Sequence, residues 1–202
     1  LIVTTHRRCP VIFNLLYLLS IGVAIAIRVP YSRQYRKTTE SRKDTTRFEG
    51  FSMLLWFIGA QILPIIYIFT GTFAFANYPR PVWLAVIGVA VLVAAMWLLR
   101  QSHVDLGKNW SAVIETRDEQ ELVTNGAYQH IRHPMYAAHW LWALAQAMLL
   151  ANWLVGLAGL VTFLPLYLSR IPREEQMMLE QFGDDYRDYM QHTGRVIPGV
   201  DM

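Results

Sequence analysis

The chain has 202 residues, 54% of them hydrophobic and 16% charged, with a formal net charge of +3. Soluble domains carry about a quarter charged residues, and the apolar residues here come in long runs rather than at amphipathic spacing, so a soluble fold is excluded. One cysteine, Cys9, rules out an intrachain disulfide and a thiolate metal cluster, and no basic face interleaved with aromatics speaks for nucleic acid.

The first apolar run covers residues 11–27, interrupted only by Asn14 and Ser20, and predicts a span over about 11–28. Arg7-Arg8 ahead of it and Ala24-Ile25-Ala26 within it also have the form of a signal peptide. Cleavage there would leave four crossings and place the next basic cluster outside, against the positive-inside bias, so a retained span is expected. That cluster sets Arg28, Arg33, Arg36, Lys37, Arg42, Lys43 and Arg47 against only Glu40 and Asp44. It marks a cytoplasmic segment and could also hold anionic headgroups. The second run, 51–76, can span with tilt, and Pro64 predicts a kink in it. The third run is 81–99.

A polar loop is expected over 101–132, with Asp105-Leu-Gly107-Lys-Asn109-Trp110-Ser111, a charged stretch at 115–121 and a turn at Thr124-Asn125-Gly126. Residues 134–169 then contain no Asp, Glu, Lys or Arg. As one helix at about 1.5 Å per residue they would run roughly 54 Å, nearly twice a hydrocarbon core of about 30 Å. Folded near Asn152-Trp153 they become two crossings, 134–151 and 153–169, with one bent helix as the alternative. The hairpin would return the polar motifs at its two ends to the same membrane face. In the tail, Glu175, Met178, Leu179 and Phe182 recur at helical spacing, and Gly183-Asp184-Asp185 predicts a stop and a new helix with Tyr186, Tyr189 and Met190 on one side. The expected fold is therefore an all-α integral membrane protein of about five transmembrane helices. It forms one domain, 1–202, with a cytosolic cofactor-binding loop and C-terminal helices, and the basic segments place the carboxyl terminus inside.

His133 precedes Pro134, which keeps it out of the helix and leaves its imidazole at a helix entrance, where anionic groups are favoured. Tyr128 and Tyr136 offer rings to a cation or an adenine, and hydroxyls at the wet end. Arg170 and Glu174 share a helical face if the helix continues through Pro172; if Pro172 opens the helix, Arg170 lies just outside it. Arg173 and Glu175 are expected to face water or a loop. Each feature alone has an ordinary reading, since Tyr, Trp and His gather at membrane interfaces and an arginine there snorkels. His103, His130, His139 and His192 lack metal-ligand spacing, and no metal is expected.

Taken together, Leu122-Val123, Gly126-x-Tyr128-x-x-x-Arg132-His133-Pro134-x-Tyr136 and Arg170-x-x-x-Glu174-Glu175 with Phe182-Gly183-x-x-Tyr186-x-x-Tyr189 resemble the isoprenylcysteine carboxyl methyltransferases. The phospholipid N-methyltransferases are more distant relatives in the same superfamily. The resemblance covers roughly 101–198, and the chain's length and its Asp105–Ser111 segment look most like compact prokaryotic members, which would place it in an inner membrane. It implies S-adenosylmethionine bound without a Rossmann fold. Gln120, Glu121, Leu122, Val123, Tyr128, His133, Pro134, Met135, Tyr136 and Glu174 would line the cofactor pocket by motif position, and Arg170 would meet the substrate carboxylate. The family often has His where Gln120 stands, and its small residue after the second Tyr is here Ala137-Ala138.

The implied reaction is carboxyl methylation of a lipophilic, isoprenylcysteine-like substrate entering from the bilayer, catalysed with Arg170 and Glu174. A carboxylate is ionised at neutral pH and needs no general base, and a guanidinium can hold it bidentately. An amine acceptor on a phospholipid would first have to lose a proton, for which Glu174, Glu175 or His133 could serve as base. A non-enzymatic membrane protein such as a transporter component would need ionisable residues in mid-span, where only His139 stands.

Overall fold

A computed structural model describes residues 8–35, 42–43, 46–110, 115–116 and 121–200. The chain is helical: α1 (Arg8–Tyr35), α2 (Arg47–Phe57), α3 (Leu63–Thr70), α4 (Val82–Leu106), α5 (Pro134–Leu150), α6 (Trp153–Phe182) and α7 (Asp184–His192). A two-residue antiparallel ladder pairs Arg42 with Thr116 and Lys43 with Glu115. Four stretches are long and apolar enough to cross a membrane: Val11–Gln34, Arg47–Thr70, Val82–Asn109 and Trp153–Phe182. The fifth expected span is α5, which has 17 residues. Large apolar side chains such as Leu19, Val93, Trp97, Val161 and Leu168 are exposed on these helices, as an integral membrane protein requires.

The second span begins and ends earlier than the apolar run suggests. It starts at Arg47, capped by Thr46, and stops at Thr70, where Gly71 turns left-handed with φ 71°. Pro64 does not simply bend it. A π-helical turn, Ile58–Ile62, joins α2 to α3, because the proline ring and missing N–H disrupt the ladder four residues back. The displaced carbonyls are taken up by other helices. Gln146 Nε2 donates to Gly59 O at 2.9 Å, and the Tyr17 hydroxyl lies 2.7 Å from both Ala60 O and Gln146 Oε1. In hydrocarbon an unsatisfied carbonyl costs several kcal/mol, so this buried network holds α1, the kinked span and α5 in register. Gly59 also lets α2 approach α6, since a Cβ there would stand 2.8 Å from Thr162 Cγ2.

The charge-free stretch folds as a hairpin. Ala151 is left-handed (φ 50°), and Asn152 caps α6 by accepting from the Leu154 and Val155 amides at 3.1 and 2.9 Å. Asn152 Nδ2 donates to Phe73 O and Asn77 Oδ1, tying this turn to the α3–α4 connection. At the other end two helices run past the expected spans. Helix α4 runs to Leu106 rather than ending near 99, because its polar side chains are satisfied along the helix: Ser102 donates to Leu98 O at 2.7 Å and Gln101 to Asp105 at 2.7 Å. Helix α6 runs through Pro165 and Pro172 to Phe182, well past 169, and Gly183 (φ 55°) ends it and opens α7. More than three turns of α6 thus project beyond its apolar part and carry Arg170, Glu174 and Glu175.

The main core lies among α1, α4 and α5, with Tyr17, Leu92, Leu99, Trp142 and Leu149 buried together. It anchors the hairpin on one side and leaves the α2, α5 and α6 side to form a cavity.

Candidate active site

The site begins with a backbone splice. Arg132 N donates to Gly194 O at 2.8 Å and His133 N to Arg195 O at 2.9 Å, so the tail beyond α7 runs alongside residues 130–133. His133 has φ −125° and ψ 59° and sits at the N-cap of α5, as its place before Pro134 predicts. Gly126 (φ 61°) opens a 3-10 turn, Gly126–Gln129, and a Cβ at that position would collide with the Asp105 carboxylate. Asp105 Oδ2 accepts from the Ala127 amide at 2.7 Å, which fixes the turn to the end of α4 and aims Tyr128 inward.

Glu175 is the hub that clamps these pieces: of the two expected surroundings, water or a loop, it has the loop. It is 5% exposed. Arg132 Nε donates to its Oε1 at 3.1 Å, Arg195 Nη2 to its Oε2 at 2.8 Å, and His133 Nε2 lies 3.4 Å from Oε1. Arg132 also donates to the Met190 and Thr193 carbonyls, so one buried guanidinium and one buried carboxylate pin α5, α6 and the tail together. Arg173 likewise does not simply point to water: its Nη1 lies 2.9 Å from Oε2 of Glu49, a fully buried residue of α2. Both placements share one cause. The helix continues through Pro172, so positions 173 and 175 face packed neighbours.

Continuation through Pro172 also sets Arg170 and Glu174 on one face. Arg170 Nε donates to Glu174 Oε1 at 3.1 Å and lies 3.4 Å from Glu49 Oε1. The Tyr136 hydroxyl donates to the same Glu174 oxygen, and His133 Nδ1 is 3.7 Å from the other. These residues stand at the wall of a cavity of about 410 Å³. Its wall includes Glu121, Leu122, Val123, Tyr128, His133, Tyr186 and Tyr189 from the loop, the α5 entrance and α7, and Met53, Trp56, Phe57, Phe163 and Leu166 from α2 and α6. Burial pushes the Tyr128, Tyr186 and Tyr189 phenols up, so all three stay protonated.

Of the residues expected at the cofactor, Glu121, Leu122, Val123, Tyr128, His133, Met135, Tyr136 and Glu174 line this one cavity, together with Arg170. Pro134 is fully buried at the start of α5 and is not on the wall. Gln120 lies outside the described residues. Glu121 is largely exposed and pairs with Lys108 at 3.2 Å. Asn109 and Trp110 are on the wall, as is His139, whose Nδ1 lies 2.6 Å from Met135 O and whose ring stacks on Phe163. Arg28, Glu49, Met53, Trp56 and Gln61 at the site were not foreseen. Arg28 read as a topology charge and the others as the edge or middle of an apolar run. Among the described residues no group of three His, Cys, Asp or Glu could hold a metal ion.

A sequence model of the isoprenylcysteine carboxyl methyltransferase (ICMT) family matches residues 84–180. Protein-S-isoprenylcysteine O-methyltransferase B of Arabidopsis thaliana is 28% identical over 120 residues, 58% of this chain and 61% of that protein. The Tribolium castaneum and Homo sapiens proteins of that name are 30% and 28% identical, over 66% and 58% of this chain and 48% and 42% of theirs. A solved structure of the eukaryotic intramembrane Ras methyltransferase ICMT, without a monobody, superposes with a TM-score of 0.54 at 26% identity, covering 88% of this chain and 60% of that one. The match thus spans about two-fifths to three-fifths of these relatives' own length. The matched region, the curated relatives and the solved structure all make the chain similar to the isoprenylcysteine carboxyl methyltransferase family.

Proposed function

We propose that the protein transfers a methyl group from S-adenosylmethionine to the carboxylate of a lipophilic, isoprenylcysteine-like substrate, forming a methyl ester at the cytoplasmic face of the membrane. The observation that carries this is that the Arg170–Glu174 pair lines one cavity together with buried tyrosines and with apolar side chains. The relatives are named for this reaction.

The residues present fit the cofactor. Tyr128, Tyr186 and Tyr189 supply buried, neutral aromatic faces suited to an adenine or a sulfonium, Glu121 and Glu174 supply carboxylates for an ammonium, and His133 stands at the α5 entrance. When bound there, the cofactor supplies a methyl group on a positively charged sulfur, ready for displacement. Such a reaction asks chiefly for alignment. Arg170 provides it: its Nε is committed to Glu174, which leaves the terminal nitrogens, one of them 3.9 Å from Met53 Sδ, for the substrate carboxylate. Glu174 and Glu49 hold the guanidinium in place, and the acceptor arrives already ionised, so no side chain has to remove a proton. Met53, Phe57, Phe163 and Leu166 would take the substrate's apolar chain. Phe57 is both 44% exposed on the outer face of α2 and on the cavity wall, which supports entry from the bilayer.

The test is to supply the purified protein with methyl-labelled S-adenosylmethionine and an S-farnesylcysteine acid, then treat the product with mild alkali. Label released as volatile methanol is expected. Label that stays on an alkali-stable product would reassign the reaction to an amine, and no label on any acceptor would remove the enzyme reading.

A further inference from the structure

Three guanidiniums stand on the cavity wall, those of Arg28, Arg132 and Arg170. Arg132 is held by Glu175, and Arg170 by Glu174 and Glu49. Arg28 has no carboxylate among the described residues, and its contact is cation–π, with Cζ 5.8 Å from the centre of the Trp110 ring. The cluster of Arg170, Arg173, Glu49 and Glu174 is balanced, two positive charges against two negative. A carboxylate brought to Arg170 would therefore meet two carboxylates as well as the guanidinium, with no net attraction from the group.

Arg28 supplies the missing charge. Its guanidinium and that of Arg170 repel each other across the cavity, and an anion between them relieves that repulsion. Arg28 also stands where the main cavity adjoins a smaller one of about 150 Å³, with Trp56, Gln61 and His139 on the wall of both. Trp56 Nε1 is buried there without a hydrogen-bond partner, a second donor left for a ligand's acceptor. Arg28 lies outside the matched region 84–180.

We infer that Arg28 is a second carboxylate-binding residue, so that the substrate's carboxylate is held between Arg28 on α1 and Arg170 on α6. This rests on the carboxyl-methylation reading and identifies what selects an acid over a neutral analogue. Arg170 aligns the carboxylate, and Arg28 provides the net charge that draws it from water.

The test measures binding of N-acetyl-S-farnesylcysteine and of its carboxamide to the full chain in lipid nanodiscs, for wild type, Arg28→Gln and Arg28→Lys, with S-adenosylmethionine affinity measured in parallel. Wild type should favour the acid by at least about tenfold. Arg28→Gln should reduce that preference to about twofold or less, Arg28→Lys should retain part of it, and cofactor affinity should stay within about twofold in all three. A full acid preference in Arg28→Gln overturns the proposal and leaves Arg28 as a topology or headgroup charge. Loss of cofactor affinity in both variants overturns it by assigning Arg28 to the cofactor. Equal wild-type affinity for acid and amide, or none for either, overturns the carboxylate reading beneath it.

Discussion

Tyr136 and Glu174 meet at the cavity wall although 38 residues and a helical hairpin separate them. The tyrosine hydroxyl donates to Glu174 Oε1, the same oxygen that accepts from Arg170 Nε at 3.1 Å. Two donors from two helices thus converge on one carboxylate oxygen. That fixes the rotamer of Arg170 and joins the end of the hairpin to its start.

Glu174→Gln should lower kcat on the order of 100-fold, because the amide neither matches the guanidinium's charge nor holds its orientation, and small displacements at a displacement reaction are costly. Tyr136→Phe removes one of the two donors and should cost about tenfold. Steady-state rates with a prenylcysteine acid check both; a Tyr136→Phe enzyme slower than Glu174→Gln would give the phenol a role of its own.

Glu49 is the second carboxylate holding Arg170, and it is buried between two guanidiniums. Glu49→Gln leaves both under-compensated and should cost on the order of 3 kcal/mol, seen as a drop of several degrees in Tm, with a fall in kcat. A double-mutant cycle with Arg173→Gln should show coupling of about 1 kcal/mol or more. Strict additivity would mean that the Glu49–Arg173 pair contributes nothing.

Glu175→Ala should release the tail rather than the chemistry. Arg132, Arg195 and His133 lose their shared acceptor, and the cost should be about 3–5 kcal/mol for an uncompensated buried charge. Limited proteolysis beyond Phe182 should accelerate and cofactor affinity should fall, since Tyr186 and Tyr189 lie on the segment set loose. Unchanged proteolysis would show that the tail is held elsewhere.

Gly126→Ala places a side chain at φ 61° and against the Asp105 carboxylate. Strain of about 1 kcal/mol or more should displace the turn that carries Tyr128 and weaken S-adenosylmethionine binding, with prenyl-acid affinity less affected. Calorimetry with each ligand separates the two effects.

The sequence makes the hairpin legible because a charge-free stretch too long for one crossing has to fold, and Asn152 is a strong cap at its middle. His133, Tyr136, Arg170 and Glu174 were legible as a set because the hairpin returns them to one end. Glu49 was not, since a carboxylate just before an apolar run reads as interfacial, and only the packing of α2 on α6 buries it. The sequence leaves water and a loop both open at Glu175, because Pro172 can start a helix or, as in α6, sit inside one. The π-helical turn before Pro64 depends on Tyr17 and Gln146 from distant helices donating to the displaced carbonyls, and no local pattern encodes that.

The central claim is that one cavity holds cofactor and carboxylate substrate together, at its aromatic and apolar sides. Calorimetric titration of the protein in nanodiscs with N-acetyl-S-farnesylcysteine, with and without saturating S-adenosylhomocysteine as an unreactive cofactor, tests it directly. The account predicts a ternary complex, with the acid binding in both cases at affinities within a few-fold of each other. Mutual exclusion of the two ligands would contradict it.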